Sequence, residues 1–166
     1  MEKKGAKKAA KEPEKKLIKL SDDSELTASG DKFYDIDSEQ LIFEVLKDFN
    51  HGTIELDDVI IKREYIESFK DGINISHTEI KHKSDPPKAT IAIVHGLGQN
   101  SDLFIEYGIQ FAMNGYKVQA IDLRGFGWSG GLKAQYTITE IQSDIVALLK
   151  EADAEIPLFF YAHSMG

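Results

Sequence analysis

Three short runs constrain this chain more than any other feature: "ATIAIV" (89–94), "KVQAID" (117–122) and "PLFFYA" (157–162). The first and last are almost continuously apolar, where a half-buried strand would alternate. Such runs read as strands covered on both faces, the situation of a parallel sheet. The segments between them have helical spacing. "DLFIEYGIQFAM" ends at Asn114-Gly115, a good stop signal. In "TITEIQSDIVALLKEA", Thr137 and Glu140 have the spacing of a capping box, and Ile138, Ile141, Ile145 and Leu148 share one face. Upstream, "EYIESF" and "INISHTEI" flank Asp71-Gly72, a hairpin signal. The order β-β-β-α-β-α-β predicts an α/β fold: a mostly parallel sheet with helices on both faces.

The chain has 166 residues, 42% of them hydrophobic, which suits one domain with a real core. There is no cysteine, so neither a disulfide framework nor a thiolate metal site is expected, and a reducing compartment fits. The five histidines show no metal-ligand spacing, and no metal or organic cofactor is expected. No run of about 18 apolar residues is present, and the amino terminus lacks a signal-peptide core. The expected location is cytoplasmic.

Charge divides the chain. Residues 1–16 hold seven Lys and three Glu, a net of +4; the total is −8, so residues 17–166 carry −12. The tail has almost nothing apolar to bury and is expected to be disordered, with weak peripheral contact to an anionic membrane or RNA as the second reading. The acidic body argues against nucleic-acid binding by the domain itself. Residues 17–61 are expected to be a helical or irregular extension, with Leu41, Ile42, Val45, Leu46 and Phe49 on one helical face and Ser38 as cap. The following "DFNHGTIELDD" resembles a calcium-binding EF-hand loop, with Asp48, Asn50, Gly52, Ile54 and Asp58 in the ligand order. It is one residue short, and Asp58 stands where the motif has a bidentate Glu, so a plain helix–loop connection is preferred. Residues 62–166 form the α/β unit.

Chemistry concentrates where strands end, because ligands of an open α/β sheet bind at the carboxyl ends of its strands. "AHSMG", Ala162 to Gly166, has the small-x-Ser-x-Gly form of a nucleophile elbow, a strand-to-helix turn so sharp that Ala162 and Gly166 must be small. It presents Ser164. "HGLGQ", His95 to Gln99, is a glycine-rich turn able to aim a backbone N–H at the same point. The expected oxyanion donors are the N–H groups of Leu97 and Met165, one such donor being worth about 3–4 kcal/mol in a transition state. Gly96, Gly98, His163 and Gly166 support the two turns, and His95 shapes its turn and is not expected to act as a base. Leu97, Phe104 and Met165 are candidates for an apolar wall near the serine.

These stretches, "IVHGLGQNS", "GYKVQAIDLRGFGWSGG" and "LFFYAHSMG", resemble the α/β-hydrolase superfamily, nearest its monoacylglycerol lipase and serine-aminopeptidase-like (lysophospholipase-like) branch. The resemblance covers about residues 64–166 and departs at Phe126, where the family commonly has His; Asp122, Arg124, Gly125 and Gly127 are read as turn and scaffold. It implies a serine hydrolase acting on a small lipid or other ester, such as an acylglycerol or lysophospholipid, through an acyl-enzyme on Ser164. A serine at the elbow argues against the epoxide- and halide-cleaving relatives, which place an acid there. In this fold the acid and the His follow the serine, whereas here the sequence ends two residues after it. His163 adjoins the serine and points away; His51, His77 and His82 lie early in the chain. The expectation is therefore an amino-terminal part of a longer hydrolase, inactive alone. A non-catalytic binding module and a hydrolase with a calcium-responsive extension are the alternatives.

Overall fold

The computed structural model describes residues 16–18, 24–26, 32–34, 52–56 and 58–166. Its strands are β1 (Lys16–Ile18), β2 (Ser24–Leu26), β3 (Lys32–Tyr34), β4 (Gly52–Leu56), β5 (Val59–Glu67), β6 (Asn74–His82), β7 (Thr90–Val94), β8 (Lys117–Ile121) and β9 (Leu158–Ala162). The helices are α1 (Ile105–Met113), entered through a 3-10 turn at Ser101–Phe104, and α2 (Ile138–Lys150). Seven strands form one sheet in the order β1-β4-β5-β6-β8-β7-β9, while β2 and β3 pair separately. The β4–β5, β5–β6 and β6–β8 pairs are antiparallel; β8–β7 and β7–β9 are parallel, as the continuous apolar runs required.

Among the described residues each face of the sheet carries one helix and one core. On one side Ile61, Ile80, Ile93 and Val118 pack with Ile105, Ile109 and Ala112 of α1. Gly108 permits this approach, since a Cβ there would lie 2.3 Å from Ile80 Cδ1. On the other side Ile75, Val94, Ile121 and Leu123 pack with Phe126 and with Ile141 and Leu148 of α2. The α2 capping box forms as expected: the Thr137 side chain accepts from the Glu140 N–H, and Glu140 answers the Thr137 N–H.

Five expectations need correction. Gly52–Leu56 is a strand and not a loop. Ile54 pairs with Lys16 on one side and Ile61 on the other, and a segment laddered on both sides does not wrap a cation as an EF-hand loop does. The expected boundary at residue 62 falls inside β5, because β4 and β5 are partners in one antiparallel pair, and Lys16, assigned to the tail, opens β1. Ile138 is 69% exposed, and the buried stripe of α2 instead includes Asp144. β9 occupies the expected position, yet all five of its residues are exposed, since it pairs with β7 alone among the described residues. The helix expected over 38–49, the remainder of the basic tail, and Asp48, Asn50 and His51 lie outside the described residues. Among the described residues no helix is long and apolar enough to cross a membrane.

Asp144 is buried because Arg124 is. The Arg124 guanidinium, 3% exposed, donates from Nε and Nη2 to the two Asp144 oxygens at 2.7 and 2.8 Å, and from Nη1 to Asp71 at 2.9 Å. The hydrogen bonds it donates to these two carboxylates, Asp144 first, hold the guanidinium pKa above its ordinary value. This fork staples α2 to the β8 exit loop and to the β5–β6 turn. Asp144→Ala should cost about 3 kcal/mol by leaving a buried cation underpaired. Asp71→Ala, at a more exposed and solvent-screened carboxylate, should cost clearly less. Urea unfolding of both variants checks this, and equal losses would refute the ranking.

Candidate functional site

Parallel pairing brings two turns together. Val94 stands opposite Ala162 in the β7–β9 register, and the ladder continues one step further, with His163 N–H donating to Val94 O at 3.0 Å. The chains then leave the sheet side by side. In the second turn Gly166 N–H donates to His163 O at 3.1 Å, and Ser164 adopts a left-handed backbone with φ 57°. A serine there carries a Cβ against its own carbonyl at a cost of about 1–2 kcal/mol. Gly166 is required: a Cβ would lie 2.6 Å from Val94 Cγ1 and 2.8 Å from Val94 O.

The first turn is fitted to the second. Gly98 has φ +76°, and Gln99 N–H donates back to Gly96 O at 3.2 Å. A Cβ on Gly96 would come within 3.0 Å of both His163 Nδ1 and Ser164 Cβ. The Gln99 side chain, which sequence reasoning passed over, lies between the turns: its Oε1 accepts from Gly96 N–H at 2.9 Å and lies 3.0 Å from His163 Nδ1. Leu97 and Met165 are 67% and 36% exposed, and neither of their N–H groups donates to another described residue. Of the candidate apolar wall, Phe104 lines a cavity of about 480 Å³ together with Ile91, Ile93, Gln99, Tyr161 and His163; Leu97 and Met165 stand outside it. The Tyr136 hydroxyl donates to Met165 Sδ at 3.6 Å.

His95 is held inside the scaffold. It is fully buried, with Nδ1 2.8 Å from Gly96 O and Nε2 accepting from Leu123 N–H at 3.0 Å. Since a carbonyl only accepts and an N–H only donates, the ring is neutral with its proton on Nδ1. Phe126 meets it edge-on at 5.6 Å, so the departure at 126 places an aromatic ring against the scaffold histidine. Asp122 joins the 3-10 turn to the exit loop of β8, accepting from Ser101 N–H at 2.7 Å and Trp128 N–H at 2.9 Å. Gly127 is forced by this, because a Cβ would lie 2.4 Å from that carboxylate. His77 is buried on β6 opposite Ile121, and His82 sits farther along the strand near Asp85.

Two measurements follow from this geometry. Ser164→Gly should raise stability by about 1 kcal/mol relative to Ser164→Ala, because only glycine relieves the left-handed strain. Matched urea unfolding curves would refute the strain. Burial lowers the pKa of His95, and also that of His77, below the ordinary value of 6.5. The folded pKa therefore lies under the unfolded one. Their stabilising contribution is complete above about pH 6.5 and is lost as pH falls toward the folded values. Imidazole NMR should find both rings titrating below the ordinary histidine value, and a His95 that titrates at or above 6.5 would contradict the burial argument.

Comparison with known proteins agrees with this geometry. The serine aminopeptidase (S33) hydrolase family matches residues 85–166. An uncharacterised abhydrolase domain-containing protein of Dictyostelium discoideum is 36% identical over 81 residues, 48% of this chain and 9% of that protein. A putative monoglyceride lipase of Schizosaccharomyces pombe is 32% identical over 96 residues, 54% of this chain and 24% of that protein. The chain thus spans less than a quarter of the length of these relatives. A soluble variant of monoglyceride lipase from Saccharomyces cerevisiae, solved with a substrate analogue, superposes with a TM-score of 0.56 at 21% identity, covering 62% of this chain and 36% of that one. With this sheet order and these two facing turns, the chain has the α/β-hydrolase fold, and residues 85–166 resemble the serine-aminopeptidase-like and monoglyceride-lipase-like branch of that superfamily.

Proposed function

We propose that this chain supplies the nucleophile and the oxyanion donors of a serine hydrolase acting on acyl esters of the monoacylglycerol or lysophospholipid kind. The observation that carries the reading is Ser164, held left-handed at the end of β9 and facing the Gly96–Leu97 turn across the sheet end. Ser164 Oγ adds to the ester carbonyl carbon while its proton passes to a base. The carbonyl oxygen becomes an oxyanion met by the N–H groups of Leu97 and Met165, which have no other described acceptor. The bond to the alcohol then breaks, the alcohol leaving with a proton, and water hydrolyses the acyl-enzyme to release the acid and restore Ser164.

Among the described residues no histidine hydrogen-bonds Ser164. His95 is occupied by Gly96 and Leu123, and His163 by Gln99, so the base is assigned to none of them. The same observation favours a second reading, a binding module on a hydrolase scaffold. The ester preference is supported by the similarity to the S. pombe and S. cerevisiae lipases. A cytoplasmic location belongs to this reading and is supported by the cysteine-free sequence.

The native protein, isolated from its cells and treated with a fluorophosphonate probe, should carry the adduct on the peptide containing Ser164, and monoacylglycerol should compete. A native protein that takes no adduct retires the hydrolase reading; lipid binding without an adduct would establish the binding module. The 166-residue chain alone should hydrolyse a p-nitrophenyl ester no faster than its Ser164→Ala variant.

A further inference from the structure

Gln99 lies where the two turns of the site meet, and its chemistry fixes more than its distances. A backbone N–H is always a donor, so the side-chain atom 2.9 Å from Gly96 N must be the amide oxygen. That oxygen is also the atom 3.0 Å from His163 Nδ1. An amide oxygen has no proton to give, so His163 must donate, and its neutral ring carries the proton on Nδ1 and not on Nε2. One acceptor therefore ties the backbone of the first turn to the side chain of the residue before Ser164. It also consumes the N–H of Gly96, leaving Leu97 as the next N–H of that turn free to face the serine. The space is closed around this link: a Gly96 Cβ would lie 3.1 Å from Gln99 Oε1 and 3.0 Å from both His163 Nδ1 and Ser164 Cβ.

We infer that Gln99 is a positioning residue that sets the oxyanion turn against the elbow and holds His163 in the Nδ1–H tautomer. Its link to catalysis rests on the hydrolase reading; its link to the tautomer does not. The requirement is an acceptor at this position and nothing else of the amide. Gln99→Glu should therefore preserve the arrangement, while Gln99→Met, similar in length and without that acceptor, should break it.

The test reads the His163 ring nitrogens by long-range proton–nitrogen NMR in the full chain. Wild type and Gln99→Glu should show the proton on Nδ1, and Gln99→Met should show it on Nε2, the form ordinarily preferred by a free imidazole. The Leu123 and Gly96 amide resonances report whether each variant keeps the turn. In the native protein, phosphonylation of Ser164 should slow about tenfold in Gln99→Met and return in Gln99→Glu, the scale of one hydrogen bond of about 1.4 kcal/mol. Wild type with its proton on Nε2 overturns the inference without any variant, as does an unchanged Nδ1–H form in Gln99→Met. If the tautomers behave as stated and wild-type Ser164 takes no label, the positioning role stands and the hydrolase reading alone falls.

Discussion

The in-register parallel pairing of β7 with β9 is the constraint on which the rest of the site depends. Neighbouring strands lie about 4.8 Å apart, so two chains leaving the sheet at Val94 and Ala162 begin their turns almost in contact. This closeness determines the small residues. Gly166 is excluded from any larger choice by Val94, the last residue of the other strand, and Gly96 by Ser164 and His163. The glycines on each side of the gap answer to the opposite chain. A change of register by one residue would turn every side chain to the other face and separate Ser164 from Gly96.

Ionisable groups near the site are committed to structure. His95, Asp122 and Arg124 are all buried, and each has its hydrogen-bonding capacity taken up by backbone amides or opposed charges. Asp122 gathers the exit loop of β8 and the entry to the 3-10 turn onto one carboxylate. Arg124 fastens the same loop to α2 and to the β5–β6 turn. Arg63 does similar work on the other face, pairing with Asp102 and Thr78 and lying 5.7 Å from the Trp128 ring centroid. These interactions rigidify the loops at the carboxyl ends of the strands, and rigid donors are what a developing oxyanion needs, since they require no reorganisation at the moment of reaction.

Much of this was legible from local pattern. The parallel strands, both helices and the Thr137–Glu140 capping box follow from periodicity and cap chemistry within a few residues of sequence. The two site turns follow from their small residues. What local pattern does not carry is partnership between distant segments. Asp144 looks like a solvent-facing acid until Arg124, twenty residues away, is placed beside it. Gly52–Leu56 looks like a loop beside an acidic cluster, because its strand character comes from pairing with β1 and β5. Gln99 reads as one more polar turn residue, and its role depends on His163, sixty-four positions later.

β9 holds the least self-sufficient position in the described structure. It presents Ser164, yet it is secured through the single ladder to β7, and Leu158, Phe159, Phe160 and Tyr161 are 42–57% exposed. An apolar strand open on both faces and along one edge is under physical pressure to be covered. The left-handed strain at Ser164 acts on the same strand, and it persists only where the surrounding structure over-determines it. Here the determining contacts come from one side: Val94 against Gly166, Gln99 against His163, and the Gly96 turn against Ser164. Any element that covers β9 would therefore do more than bury apolar area. It would restrict the strand on its second side and so sharpen the position of the serine relative to Leu97, coupling coverage of β9 to competence of the site.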